Sequence, residues 1–410
     1  MEVRTINILP TSIDSKRAFF TIPQGTKYLT NKIRLADFEL LNGDQRPIYF
    51  GPKGFYSLIK SISFLNSTGN AIDSMTNTDY IALKMLQAPN GIQRDVSRVL
   101  YQNAGISIDC PTLGTIALNE QHGKQDATKI GGYIDLSYMS NYLQARQIST
   151  DQLQIQIEFI DSGLIQGGYA FSRPPSLFVD EVLSGEPVDN QDVIIFNTIV
   201  ADRIPIYAKK TVAEVTTDHI TNYESLEPVS LSQRMNSYNQ QMISNLYVYL
   251  PESINGAVSA DGYANGVQES TLNVLIDGKQ LLPFGGLNTP AKMLGHLTDH
   301  FSPICLPGVE SYYPNISTVP DNLSKRIALR NPNVLRQYSG CFSWAALGIN
   351  QVVLSDLVLQ YSSKLLAGQD VTKPFFVSAL AEISRYYKRS TGLTGNYTPS
   401  PQTGKLENAS

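Results

Sequence analysis

The chain has 410 residues, of which 42% are hydrophobic and 17% are charged, and its formal net charge is −4. This length exceeds what one hydrophobic core usually supports, so two domains are expected. The charged fraction is below the roughly 25% of an average soluble domain, which indicates surface covered by other protein, and the acidic balance argues against specific binding of nucleic acid.

The N-terminus contains Glu2 and Arg4 and lacks a long apolar run. A secretory signal needs such a run, so we expect synthesis in the cytoplasm without a signal peptide. The most apolar long window, residues 341–361, is interrupted by Asn350 and Asp356, which a membrane-spanning helix rarely tolerates.

The first half of the chain has the pattern of antiparallel β-structure. Residues 152–159 read Gln-Leu-Gln-Ile-Gln-Ile-Glu-Phe, so every second side chain is apolar. Successive side chains point to opposite faces of a strand, and the pattern therefore predicts one buried and one wet face. Further strands are predicted at residues 57–65 and 106–109, and a short helix at residues 135–143.

A connection between domains is predicted from Gly167 to Asn190, which contains paired glycines, paired prolines and four acidic residues. Such a composition is typical of exposed linkers. We therefore expect an N-terminal domain of residues 1–183 and a C-terminal domain of residues 184–390.

The second half continues the strand pattern. Its predicted strands are rich in Val, Ile, Leu and Tyr and lie at residues 204–215, 243–250, 271–277 and 352–361. Asp277-Gly278 follows the third strand and predicts a two-residue type I′ hairpin turn. A second short helix is predicted at residues 290–297, opened by Thr289 as N-cap and by Pro290.

The segment that ends at Lys388 fits two secondary structures. Phe376 and Leu380 have the four-residue spacing of a helix, whereas Val377 and Ala379 alternate as in a strand. Periodicity leaves both structures open.

Residues 391–410 consist mainly of Thr, Gly, Ser, Pro and Asn. They have too few large apolar side chains to order themselves by burial. A flexible C-terminal tail that is dispensable for folding is therefore expected.

Motifs for catalysis and nucleotide binding are missing from the sequence. Gly123-Lys124 is followed by Gln125, which lacks the hydroxyl that a phosphate-binding loop gives to magnesium, and no Gly-x-Ser-x-Gly elbow occurs. We therefore expect no catalytic residue and no cofactor, and the protein is not expected to be an enzyme.

His296 and His300 are weak candidates for a metal site. They are four residues apart and would share one face of a helix, but Leu-Thr-Asp stands between them and the glutamate of a hydrolytic zinc motif is missing. Two histidines near a helix end more often hydrogen-bond or meet solvent, so no metal is expected.

Arg385, Lys388 and Arg389 form a basic cluster around two tyrosines. Such a cluster can contact phosphate or an anionic lipid surface, although a charge run is usually a solvated face. Both interpretations stay open.

Six segments stand in a defined order along the chain. They lie at residues 54–62, 69–73, 134–139, 153–159, 275–283 and 353–361 and include Gly-Phe-Tyr-Ser-Leu-Ile-Lys-Ser-Ile and Leu-Ile-Asp-Gly-Lys-Gln-Leu-Leu-Pro. In this order they resemble the double-jelly-roll major capsid proteins of polinton-like viruses and virophages, in the tectivirus and adenovirus lineage. The resemblance implies an all-β fold of two consecutive eight-stranded antiparallel jelly rolls with short helices in the loops, and it makes residues 374–388 a strand.

The resemblance also implies how the protein works. Three copies would form a pseudo-hexameric homotrimer, the capsomer that tiles an icosahedral capsid in the virion. Its partners would be neighbouring capsomers and minor capsid or penton proteins. Arg385, Lys388 and Arg389 would contact an internal membrane or the genome at the inner face, without specific recognition of nucleic acid.

Two other function classes are kept as alternatives. A minor capsid, penton or spike protein would share the β-structure but would not need two rolls in tandem. A carbohydrate-binding β-sandwich would need aromatic platforms, and the chain has a single tryptophan, Trp344.

Cys110, Cys305 and Cys341 are predicted to be reduced thiols without metal. Their number is odd and no Cys-x-x-Cys pair occurs, so the spacing supports neither a disulfide framework nor a zinc site. Alkylation of the denatured, unreduced protein should add three adducts to the intact mass. Fewer adducts, or stoichiometric zinc in elemental analysis, would show a disulfide or a metal site instead.

Overall fold

The computed structural model describes residues 1–41, 54–76, 129–145, 148–164, 169–188, 191–207, 210–213, 223–226, 229–238, 241–249, 267–282, 342–343, 352–353, 356–365 and 375–397. Within these ranges the backbone forms β-strands joined by short helical turns. No helix among the described residues has the length and apolar character needed to cross a membrane.

Eleven of the described strands precede residue 190. They are β1 (Glu2–Ile8), β2 (Ser12–Ile13), β3 (Arg17–Ile22), β4 (Tyr28–Leu41), β5 (Ile59–Leu65), β6 (Ala71–Met75), β7 (Lys129–Asp135), β8 (Ile148–Ser149), β9 (Leu153–Phe159), β10 (Ala170–Arg173) and β11 (Ser176–Ser184).

The described strands of the second half follow in the same way. They are β12 (Val193–Ile206), β13 (Lys210–Ala213), β14 (Tyr223–Leu226), β15 (Val229–Arg234), β16 (Met242–Tyr249), β17 (Val267–Ile276), β18 (Lys279–Gln280), β19 (Phe342–Ser343), β20 (Val352–Val353), β21 (Leu357–Leu365), β22 (Phe375–Lys388) and β23 (Leu393–Asn396).

The described helices are all short. One is the α-helix α1 (Asn141–Ala145), and the others are 3₁₀ helices at Gly54–Leu58, Leu136–Met139, Ser162–Leu164 and Asn236–Tyr238. In place of the single helix predicted at residues 135–143, the structure has two separate turns, the 3₁₀ helix and the start of α1, with Ser140 in an extended conformation between them.

The first roll has two antiparallel sheets. One contains β1-β11-β4, with β7, β8 and β10 also paired to β4, and the other has the order β2-β3-β9-β5-β6. Its eight main strands are β1, β3, β4, β5, β6, β7, β9 and β11. Counted in that order, the first, eighth, third and sixth form one sheet, and the second, seventh, fourth and fifth form the other. This is the strand order of a jelly roll, in which eight strands form two facing sheets and are connected as two Greek keys.

The second roll repeats this order. One sheet is β12-β22-β16-β19, the other is β15-β21-β17-β18, and these are again the first, eighth, third and sixth strands and the second, seventh, fourth and fifth. The expected fold of two consecutive eight-stranded jelly rolls is confirmed.

Alternating burial along the strands builds each core. On β9, Leu153, Ile155 and Ile157 are fully buried, while Gln154 and Gln156 stay half-exposed. Each large apolar side chain that is buried in this way contributes about 1.5–3 kcal/mol. The period of two that predicted this strand is therefore the period that separates core from surface.

The hairpin between β17 and β18 also follows the sequence prediction. Asp277 and Gly278 both have positive φ, at 50° and 72°, as a type I′ turn requires. The Asp277 carboxylate accepts a hydrogen bond from the backbone N–H of Asp356 at 3.0 Å, which ties the turn to the start of β21.

The segment before Lys388 is a strand of 14 residues, β22, so the strand interpretation is the right one. The predicted strand at residues 106–109, the helix at 290–297, His296, His300 and the three cysteines lie outside the described residues.

The chain forms two compact units that are not contiguous in sequence. Among the described residues, one unit contains Met1–Val200 and the segment that begins at Glu382, and the other lies between Ala201 and Ala381. The strands β12 and β22 each run through both units. The division into residues 1–183 and 184–390 stays a prediction about separately folding domains.

The tail predicted to be flexible begins at residue 391, and its described part, residues 391–397, contains a strand. Leu393–Asn396 form β23, which pairs antiparallel with β22 from Lys388 to Arg385. Backbone hydrogen bonds order this segment, although it has little apolar surface to bury. Residues 398–410 lie outside the described residues.

Two truncations separate the ordered part of the C-terminus from the rest. Removal of residues 398–410 should leave the melting temperature unchanged. Removal of residues 391–410 should lower it by several degrees, because residues 385–388 of β22 then lose their hydrogen-bonded partner strand β23. Thermal unfolding of both truncated proteins checks this. Equal melting temperatures would show that β23 contributes nothing to stability.

Candidate functional site

The predicted basic cluster lies where the ends of two long strands pack on the first roll. We call this region the clasp: residues 191–200 at the start of β12, residues 382–397 around β22 and β23, and their partners Asn66, Asp73, Tyr142 and Asp151. All of these residues belong to the first compact unit. The clasp is the candidate site because it holds the predicted contact residues.

Arg389 is bound within the clasp. Its Nε and Nη2 atoms donate hydrogen bonds of 3.0 and 2.7 Å to Oδ1 of Asp151, and the two side chains are 18% and 20% exposed. Its backbone N–H donates to the carbonyl of Asp192 at 2.8 Å. The guanidinium is therefore held by an internal partner, and it fastens the end of β22 to the loop before β9.

Asp192 fastens the start of β12 to the same place. Its carboxylate accepts hydrogen bonds from the backbone N–H of Ser390 at 2.8 Å and from the Ser390 hydroxyl at 3.0 Å. The backbone N–H of Ser390 is the main reason why the pKa of Asp192 lies below its ordinary value.

Asn66 forms a hydrogen bond with the turn between β22 and β23. It is 3% exposed, and its Oδ1 accepts hydrogen bonds from Thr68 and Asn70 within the β5–β6 turn. Its Nδ2 donates to the carbonyl of Gly392 at 3.3 Å. Gly392 has φ +68°, and a Cβ there would lie 2.9 Å from Nδ2, so only glycine fits this contact.

Tyr142 of α1 forms the apolar centre of the clasp. Its ring meets Phe196 of β12 at 5.6 Å and Tyr387 of β22 at 5.8 Å, both edge to face. All three rings are buried. Each such pair adds about 0.5–1.5 kcal/mol beyond the burial of area.

Asp73 of β6 is the polar centre. Its carboxylate is buried and accepts hydrogen bonds from four donors, which belong to β6, to the residues that open α1, and to Thr198 of β12. Burial raises the pKa of Asp73, and the hydrogen bonds oppose that rise. One carboxyl group therefore joins three segments of the first unit.

Arg385 and Lys388, the other two predicted contact residues, are half-exposed on β22. Arg385 stands opposite Asn396 on β23 and Lys388 opposite Leu393. The buried Nε of Arg385 has no hydrogen-bond acceptor among the described residues. Lys388 is close enough to Asp192 to help lower the pKa of that carboxyl, whereas no ion pair of Arg385 is formed among the described residues.

The sequence signalled the basic residues of the clasp but not their partners. Asp73, Asp151 and Asp192 are isolated acids separated by long stretches of chain, and no local spacing links them to Thr198 or Arg389. Among the described residues, no three His, Cys, Asp or Glu side chains lie together as metal ligands.

No family model and no curated protein matches the sequence. Solved structures match the fold over nearly the whole chain, and two of them serve as examples. A chain of the Sputnik virophage, determined by cryo-EM, has a TM-score of 0.54 at 10% identity, with 100% of this chain and 91% of that chain covered. The crystal structure of the mavirus major capsid protein has a TM-score of 0.51 at 10% identity, with 96% and 90% covered. These likenesses show a shared fold, the double jelly roll.

The ion pair between Arg389 and Asp151 should matter more than an exposed one. Arg389→Gln should lower the free energy of unfolding by about 1.5–3 kcal/mol, because Asp151 loses charge-assisted hydrogen bonds in a partly buried place. The control is Arg4→Gln, which breaks the 2.6 Å pair with Glu181, where Arg4 is 63% exposed. That loss should stay below about 1 kcal/mol. Equal losses in denaturant unfolding would contradict the importance of the clasp pair.

Proposed function

We propose that the protein is a viral major capsid protein, and that three copies form a pseudo-hexameric capsomer. The fold shared with the mavirus major capsid protein over nearly the whole chain supports the proposal most directly. In this function the protein is a structural component of the virion, made in the host cytoplasm, and it performs no catalysis.

The tandem of rolls suits this assembly. Two rolls with the same strand order give one chain two similar building units, so three chains present six of them around a three-fold axis. A closed ring of this kind needs a heterologous contact, in which different surfaces of the chain meet at each interface.

The outer face of the β2-β3-β9-β5-β6 sheet has the chemistry of such a contact. Directly opposed residues across these strands form two adjacent rows without a charge. One row is Ser12, Phe19, Gln156, Ser63 and Ser74, and the other is Thr21, Gln154, Leu65 and Ala71. Cores of protein interfaces are depleted in charge, which these rows satisfy.

The other sheet of the first roll has a different character. Its side chains form several ion pairs, among them Arg34–Asp180 at 2.7 Å and Arg173–Asp37 at 3.3 Å. Charged side chains resist burial, so this sheet suits solvent. We therefore assign the contact with a second copy to the two rows without a charge, here called the uncharged face, which are bordered by the ion pair of Lys60 and Glu158.

The remaining partners follow from the same proposal. Neighbouring capsomers and minor capsid or penton proteins would meet the capsomer at its edges. An internal membrane or the genome would meet the inner face, and there Arg385 and Lys388 are the side chains available, because Arg389 is bound to Asp151. His296 and His300 are not assigned a metal.

Light scattering on the purified protein tests the oligomeric state. The mass should be three times 45.2 kDa, about 136 kDa. Negative-stain images should show pseudo-hexagonal particles. A stable monomer at micromolar concentration would contradict the trimer.

A substitution that introduces a charge into the uncharged face tests whether this face forms the contact between copies. Gln156→Asp should shift the mass toward the monomer, because a carboxylate desolvated there would have no partner. The control is Asn7→Asp on β1, an exposed position of the other sheet, which should stay trimeric. A Gln156→Asp protein that keeps the trimer mass would place the interface elsewhere.

A further inference from the structure

Asp73 is a buried acid without a basic partner. The residue is 4% exposed and stands on β6 opposite Phe64, on the inner side of the sheet. No ion pair to it is formed among the described residues. A buried carboxylate normally needs a cation or several hydrogen bonds to compensate its lost hydration.

Hydrogen bonds supply that compensation. Oδ1 accepts from the backbone N–H of Ser74 at 2.9 Å and from the Thr198 hydroxyl at 2.6 Å. Oδ2 accepts from the Ser140 hydroxyl at 2.7 Å and from the backbone N–H of Tyr142 at 3.3 Å. The donors outside β6 lie 67 to 125 residues away in sequence.

Two of these four partners can work in either direction. Backbone N–H groups only donate, whereas the hydroxyls of Thr198 and Ser140 can also accept. A protonated Asp73 can therefore donate to one of these hydroxyl oxygens while it still accepts the backbone hydrogen bonds. Proton uptake removes the buried charge without removing a contact.

The elements around Asp73 supply little charge. The rest of β6 has no titratable side chain, and neither has β12 from Val193 to Val200. The two helical turns carry only the phenols Tyr138 and Tyr142, while Lys60 of β5 is paired with Glu158 at 3.0 Å. On β22, Glu382 and Arg385 form no ion pair with Asp73 in the described structure. Because no described basic side chain pairs with Asp73, protonation is the way in which its buried negative charge can be neutralised.

Burial is the largest cause of the raised pKa of Asp73, and the ordinary value is 3.8. The folded protein therefore binds this proton at a pH where the unfolded chain does not. Stability from this group is lost as the pH rises through the raised pKa of the folded state. It is regained as the pH falls through that pKa toward 3.8.

We infer that Asp73 makes the clasp a proton-tightened joint, in which one proton strengthens the attachment of β12 and α1 to β6 as the pH falls. Most carboxylates that are paired in the native state have the opposite effect, because acid breaks their ion pairs. The inference rests on the first unit alone and does not depend on the proposed capsid function.

Hydrogen exchange on the full-length protein tests the joint. Wild type is compared with Asp73→Asn, which keeps the shape but cannot titrate, from about pH 8 to about pH 4 after correction for intrinsic exchange. The protection of the amides of residues 193–200, taken as wild type over variant, should rise by up to tenfold per pH unit, the limit for one proton. The same ratio for β17 of the second unit should not change. A pH-independent ratio at residues 193–200, or an equal rise at β17, would overturn the inference.

A second variant keeps the test valid should Asp73→Asn fail to fold. Thr198→Val removes one donor to the ionised carboxylate, so the tightening of residues 193–200 should begin at a higher pH than in wild type. The matched control is Thr5→Val, which removes the 2.8 Å hydrogen bond to Asp180, a half-buried acid on the other sheet that is paired with Arg34, and should leave the profile unchanged. A Thr198→Val profile identical to wild type would show that Asp73 does not control the joint.

Discussion

Each roll is closed by backbone pairing between its first and its last strand. In the first roll, β1 pairs antiparallel with β11, which brings Glu2 beside Ser184. Between these two strands the chain passes repeatedly from one facing sheet to the other, and among the eight main strands only the fourth and fifth, β5 and β6, follow each other in the same sheet. Contacts of such long sequence separation are formed late and slowly, so the fold depends on strands that hold their register once they meet.

In the second roll, the first and last strands, β12 and β22, pair in the same way. These two strands have 14 residues each, more than twice the usual strand length of about five or six. Their extra residues belong to the first compact unit, where Phe196, Tyr387 and Thr198 find buried partners. The clasp is therefore a product of strand length, and the acids Asp151 and Asp192 fix its outer end.

Charge is distributed unevenly in the first roll. One sheet has several surface ion pairs, while the other has the pair Lys60–Glu158 beside rows of Gln, Ser and Thr with single Phe and Leu residues. Surface that is to be covered by another copy loses stability from every unpaired charge, while uncharged polar groups can exchange water for a partner. Asp73 is the exception inside the roll, and it is tolerated because four donors surround it.

The sequence by itself determined those features that depend on neighbouring residues. The alternation in residues 152–159 defined β9 and its buried face, and Asp277-Gly278 defined a hairpin turn, because pleat and turn geometry act over two to four residues. The resemblance to double-jelly-roll capsid proteins added the order of the strands. Tertiary structure alone decided the rest. Residues 379–384 of β22 are buried on both faces of the strand apart from half-exposed Glu382, which hides the period of two, and β23 is ordered by backbone hydrogen bonds that its composition does not reveal. Arg389 meets Asp151 across 238 residues and Thr198 meets Asp73 across 125, and such contacts depend on how distant strands come together, which no local pattern encodes.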